Sequence, residues 1–133
     1  MKSVITCDME GVIETMNADA EQIFGYKKDE IIGKKRVSLF SPGEIVLQNV
    51  AGWLDTAVKE GEYKGETNFL NKKGEKLNAR IRITPTFANG KDKPQTGYCG
   101  VTELIEKDVE VTINFSTKLI KMLAITRMPF TSA

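Results

Sequence analysis

The 133-residue sequence predicts an α+β domain, with several short helices and one longer helix packed on one face of an antiparallel sheet. Three observations carry that prediction. The chain opens with two short strand-like segments around a glycine turn. Apolar residues then recur at helical spacing between Pro42 and Gly61. Finally, three segments rich in β-formers follow in succession, separated by polar turn sequences.

The first fifteen residues after Lys2, "SVITCDMEGVIETMN", read as strands Ser3 to Cys7 and Val12 to Met16, joined by "DMEG", where Gly11 supplies a positive φ. Either Asn17 or Asp19 suits the cap of the next helix, and Gln22 follows Asp19 at capping-box spacing. That helix ends near Gly25. "DEIIG" makes a second capped turn, with Ile31 and Ile32 between Asp29 and the stop signal Gly33. Leu47, Val50, Ala51, Leu54, Ala57 and Val58 form the apolar stripe of the longest helix. Strands return in "YKGETNFLN", "EKLNARIRITPTF" and "TGYCGVTELI", with "NKKGEK" as a tight turn and "NGKDKPQ" as a longer loop. Leu77, Ala79, Ile81 and Ile83 alternate with Asn78, Arg80, Arg82 and Thr84, so one sheet face is apolar and the other wet. After Glu106 the pattern is ambiguous. Val109, Val111, Ile113 and Phe115 alternate as in a strand, whereas Ile105, Val109 and Ile113 also suit a helix stripe; the β-branched content favours the strand.

The length fits one domain. A net charge of +1 offers no electrostatic reason to expect a nucleic-acid partner. The two cysteines, Cys7 and Cys99, form neither a disulfide framework nor a CxxC pair, and no signal-peptide pattern follows Met1, so a cytoplasmic location is expected. No stretch of about 18 apolar residues occurs. The last segment, "TKLIKMLAITRMPFTSA", is apolar and basic and is expected to lead into a further C-terminal part.

The chain contains no histidine, which excludes His-ligated haem and removes the commonest general base. Carboxylates form no pair in an apolar setting; Asp8, Glu10, Asp29, Glu30 and Glu66 read as turn, cap and surface residues. No phosphate-binding loop or zinc-ligand spacing is present. Catalysis and a metal site are therefore not expected in this chain. Cys7 and Cys99 read as small strand hydrophobes without an activating base. Lys34, Lys35 and Arg36, with Lys27 and Lys28, suit a solvated loop or contact with an anionic partner or lipid head groups. Arg80 and Arg82 share a strand face and fit either pairing with Glu66 or exposure to water. The best candidates for a ligand cavity are Val50, Trp53 and Leu54 of the long helix, Phe69, Ile81 and Ile83 of the strands beneath it, and Phe24, Ile32, Val37, Leu39 and Phe40 of the short helices. The same side chains also suit a filled core, and Trp53 suits contact with a partner chain.

The order of these elements and their punctuation resembles a PAS domain, the sensory module of many signalling proteins. The resemblance covers about residues 3 to 106 and rests on "D-x-E-G-x-I-x-x-x-N" from Asp8 to Asn17, "IFGY" from Ile23 to Tyr26, "DEIIGK" from Asp29 to Lys34, "GEYKGE" from Gly61 to Glu66 and "NKKGEK" from Asn71 to Lys76. It implies a five-stranded antiparallel sheet in spatial order 2-1-5-4-3, with helices over one face and a pocket between, where ligands or chromophores sit when present. It also implies a non-enzymatic sensory domain at residues 1–106, binding a small apolar or aromatic ligand or a partner, expected as a homodimer, and modulating a C-terminal effector. The rival reading is a ligand-free dimerisation module. In the implied strand order Cys7 and Cys99 lie on neighbouring strands, which suggests a redox-sensitive pair.

Three features qualify the resemblance. Where the family often ends its last strand with Asp-Ile-Thr, this chain has Gly100, Val101 and Thr102, so the relay carboxylate is missing. The cysteine of flavin-binding light sensors is absent from "KKRVSLF" at residues 34–40, which argues against a cysteinyl-flavin but leaves non-covalent flavin open. Residues 107–133 read as a linker or extra strand plus an amphipathic segment. The tail there resembles the start of a UbiA-type membrane prenyltransferase, with Arg127, Met128 and Pro129 matching a basic stretch before the first span; an amphipathic linker helix to another output domain, or a helix packed on the sheet, is the alternative. On the prenyltransferase reading, the membrane is reached only through the C-terminal part.

Overall fold

The computed structural model describes residues 1–105; the strand-or-helix question at residues 107–116 and the apolar, basic tail lie outside them. Strand β1 (Lys2–Asp8) and β2 (Ile13–Met16) form the opening hairpin. Asp8 closes its turn by accepting hydrogen bonds at Oδ1 from the backbone N–H groups of Glu10 (2.8 Å) and Val12 (2.9 Å), while Gly11 takes φ +87°. Helix α1 (Ala18–Phe24) follows, capped by Asn17 rather than Asp19. Asn17 Oδ1 accepts from the N–H of Ala20 (2.9 Å) and of Val4 (3.0 Å), and its Nδ2 donates to the Lys2 carbonyl (3.0 Å). One side chain thus ends the hairpin, starts the helix and ties it to β1. Asp19 accepts from the Lys2 N–H instead.

The short helix α2 (Lys28–Ile31) begins one residue before Asp29, because Glu30 reaches back to accept the Lys27 N–H at 3.0 Å. A salt bridge from Lys72 at 2.6 Å holds the Glu30 carboxyl below its usual range. Backbone bonds then lay residues 33–37 against β2: Gly33 N–H to the Ile13 carbonyl, Ile13 N–H to that of Lys35, and Val37 N–H to that of Gly11. This return path delivers a 3-10 turn, Val37–Phe40, to the sheet's inner face. Helix α3 (Glu44–Glu60) stops at Gly61, which takes φ +91°.

Strands β3 (Tyr63–Leu70), β4 (Lys76–Thr86) and β5 (Gly97–Leu104) complete a five-stranded antiparallel sheet in the order β2-β1-β5-β4-β3. The fold and strand order are those the resemblance implies. The inner face carries Ile5, Cys7, Ala79 and Ile81 under the helices. On the outer face Arg80 pairs with Glu66 (3.6 Å), as one reading of that strand expected, but Arg82 reaches Glu62 (2.6 Å) and holds that carboxyl below its usual range.

The filled core lies at one end of this arrangement, where Ile5, Ile13, Met16, Ala20, Ile23, Phe24, Ile31 and Phe40 pack together. Burying Phe24 or Ile13 completely contributes roughly 1.5–3 kcal/mol each. Helix α3 covers the other end and turns a narrower stripe inward than its spacing suggested. Ala57 is fully buried and Val50 and Leu54 half-buried, whereas Ala51 and Val58, one position further round the helix, are exposed.

Replacing Asn17 with Ala removes two hydrogen bonds to β1 and the cap of α1, and is expected to lower unfolding free energy by about 2 kcal/mol. Urea unfolding followed by circular dichroism measures it.

Candidate functional site

Between α3 and the inner sheet face lies a cavity of about 280 Å³. Strand β1 contributes Ile5 and Cys7 to its walls, the hairpin turn Met9, Glu10 and Gly11, and β5 Tyr98, Gly100 and Thr102. From the candidates, Phe24, Val37, Phe40, Val50, Trp53, Leu54, Phe69, Ile81 and Ile83 also line it. Ile32 and Leu39 do not; both pack against the filled core instead. For Leu39 the reason is the three-residue period of the 3-10 turn, which superimposes Val37 and Phe40 on the cavity side and turns Leu39 away. Ile32 follows the last residue of α2, where the chain is already extended, and Ile31 takes the fully buried place.

Aromatic rings brace both ends. Phe24 stacks on Phe40 with centroids 4.1 Å apart and meets the edge of Phe69 at 5.8 Å, closing the end next to the core. Trp53 of α3 stacks on Tyr63 of β3 at 5.4 Å, with 12° between the ring planes, and the Tyr63 ring lies across Gly65, where any side chain would collide with it.

The β1 and β5 residues escaped the sequence reading because the phase of each strand depends on its partner's register. Their signal was present: Ile5 and Cys7 alternate, and a glycine inside a strand, such as Gly100, marks close approach or open space.

The register also separates the two thiols. Cys7 stands opposite Tyr98 and Cys99 opposite Thr6, so the side chains project from opposite faces of the sheet. Neighbouring strands do not make them a pair, and both cysteines are free. Burial pushes the Cys7 thiol up to about 11, against a smaller opposing effect of a hydrogen bond with the Tyr98 backbone, and burial raises Cys99 as well.

Among the described residues no lysine or arginine lines the cavity, and the one carboxylate that does, Glu10, lies 3.7 Å from Arg36. Lys27, Lys28, Lys34, Lys35 and Arg36 are exposed outside it, with Lys34 Nζ donating to the Asp29 carbonyl at 2.8 Å. Among the described residues no group of three or more histidine, cysteine, aspartate or glutamate side chains is placed to hold a metal ion, and no helix is long and apolar enough to cross a membrane.

An antiparallel sheet roofed on one face by short helices and one long helix, with an apolar cavity between, is the arrangement that the resemblance implied. The chain matches the PAS domain family over residues 2–118 and belongs to that family. It is 33% identical over 100 residues to the two-component system protein A of Emericella nidulans, a match that takes in 75% of this chain and 14% of that protein. The chain therefore spans about one seventh of that relative's length. The PAS domain of a Colwellia psychrerythraea protein shares the fold at TM-score 0.73 and 21% identity, over 80% of this chain and 88% of that one. So does the PAS domain, in complex with ethanol, of a LuxR-family transcriptional regulator from Burkholderia thailandensis, at TM-score 0.64 and 15% identity, over 78% and 88% of the two chains. None of these matches supports the likeness of the tail to a prenyltransferase.

Mild oxidation is expected to leave no intramolecular disulfide, checked by intact mass after unfolding, and Cys99 is expected to label faster than Cys7 in the native state. The folded Cys7 thiol holds its proton to higher pH than an unfolded one, whose ordinary value is 9.0. Its contribution to stability is therefore complete below pH 9 and lost as pH rises to about 11. Urea midpoints across that range should fall less steeply for Cys7→Ala than for the unsubstituted chain.

Proposed function

We propose that this PAS domain is a sensor whose cavity takes a small apolar or aromatic ligand and transmits its presence to a C-terminal effector. The observation that carries the reading is the cavity itself, about 280 Å³ with a mainly apolar and aromatic wall, near the lower end of the range for small-molecule sites. The ethanol complex of the Burkholderia domain supports it by showing a small uncharged molecule with a protein of this fold. The mechanism is population shift: a ligand that touches both α3 and the sheet favours the arrangement in which those contacts are best made, and one with equal affinity for both arrangements shifts nothing.

The proposed effector is a signalling module, in keeping with the name of the fungal relative. The prenyltransferase reading of the tail predicts hydrophobic spans in the coding sequence after Ala133, so that sequence distinguishes the two. Homodimerisation is part of the proposal, with the outer sheet face as the proposed contact surface.

Trp53 is the single tryptophan of the chain and lines the cavity, so its fluorescence reports occupancy directly. Native mass spectrometry of the purified domain is expected to show a bound small molecule, and extraction followed by re-addition to change Trp53 emission saturably. A chain that is always dimeric, carries no added mass and shows no Trp53 response to a library of small apolar compounds would instead be the ligand-free dimerisation module.

A further inference from the structure

Gly100 occupies the middle of the sheet's inner face, paired with Ile5 on β1 and Ile83 on β4. Neither backbone conformation nor crowding requires a glycine there. Its φ is not positive, and a methyl group placed on it would meet nothing nearer than the Ile5 carbonyl oxygen at 4.0 Å. Gly97, three residues earlier, is the opposite case: a methyl group there would run into the Cys7 carbonyl. The missing side chain at Gly100 opens a trough in the cavity floor between two isoleucines, with Trp53 among the roof residues. Such a slot fits a flat molecule. At the packing density of an organic liquid the cavity holds roughly 150 Å³ of van der Waals volume, the size of a fused two-ring aromatic. Among the described residues no lysine or arginine lines the cavity, so an anion there would be desolvated without a counter-charge from them. Thr102 is buried and lines the cavity, so the floor there carries a hydroxyl group rather than a charge.

We propose that the slot over Gly100 selects an uncharged, planar aromatic ligand of two-ring size, and that the absence of a side chain at Gly100 sets that selection. The proposal rests on the ligand-cavity reading above. Its test is a titration of the domain, followed by Trp53 fluorescence and calorimetry, with 2-naphthol and 2-naphthoate at neutral pH, where the first is uncharged and the second an anion. 2-Naphthol is expected to bind, and 2-naphthoate to bind roughly a hundredfold more weakly or worse. Gly100→Val should fill the trough and weaken 2-naphthol about tenfold or more without lowering the melting temperature of the unliganded domain, with Gly100→Ala between the two. If Gly100→Val fails to fold, Gly100→Ala and the ratio of the two probes decide. Equal affinity for both probes, or undiminished binding by the Gly100 variants, would overturn the selection and leave the cavity reading standing. Binding of neither probe would overturn it too, and the cavity reading falls with it only if the native mass and the Trp53 response to the wider library are also negative.

Discussion

Pairing of β1 with β5 is the constraint on which the rest of the structure depends. The two strands come from opposite ends of the described chain and lie at the centre of the sheet, in register from Lys2 with Glu103 to Asp8 with Gly97. The pairing closes the longest loop in the fold, so its loop-closure entropy must be offset by contacts along the whole strand. Gly97 shows how tight the fit is, since its Cα lies where a side chain would strike the Cys7 carbonyl. Shifting the register by one residue would carry Ile5 and Cys7 to the wet face and bring Thr6 and Val4 under the helices. The cavity floor, the separation of the thiols and the open place at Gly100 all follow from this one alignment.

Local chemistry made much of the fold legible in the sequence. Asp8 with Gly11, Asn17, Gly25 and Gly61 each punctuate the chain by a side-chain acceptor or a left-handed conformation, and these signals act over a few residues. The alternation of Leu77, Ala79, Ile81 and Ile83 likewise named the inner face of β4. What the sequence did not show is relational. Nothing local distinguishes Cys99 from Cys7 until the strands are aligned, and nothing local makes the partner of Arg82 Glu62 rather than Glu66. Helical spacing placed the stripe of α3 on the sheet but could not tell a side chain over a void from one in a filled core, because both are apolar and inward.

The filled core and the cavity occupy different ends of one layer, and that division has energetic consequences. Around Phe24 the packing is continuous from α1 through the 3-10 turn to β3, which anchors the short helices. Beneath α3 the packing leaves the cavity, and among the described residues Ala57 and the Trp53–Tyr63 stack join the helix to the sheet. An element packed over empty volume gains contacts when that volume is filled. On the proposed reading, that asymmetry makes α3 the part of the roof with most to gain from a ligand, with the packed Phe24 end as its frame.

For the proposed sensor, β5 is the strand that joins the cavity to the C-terminal end of the described chain. Tyr98, Gly100 and Thr102 touch the cavity, and the same strand runs on to Leu104 and Ile105, whose N–H bonds the Asn78 carbonyl at 2.8 Å. The carboxylate that often relays signals at this point in the family has no counterpart at Gly100, and the acidic residue that follows, Glu103, faces outward, 4.0 Å from Lys2. A charge-based relay from the cavity is therefore unsupported by the strand's own residues. On that reading coupling falls to the backbone ladder of β5 with β4, in register from Gly97 to Leu104. On the proposed ligand-sensing reading, the same glycine that opens the cavity floor also removes a polar step along β5, so that occupancy would be read as a change in packing rather than as a change in charge.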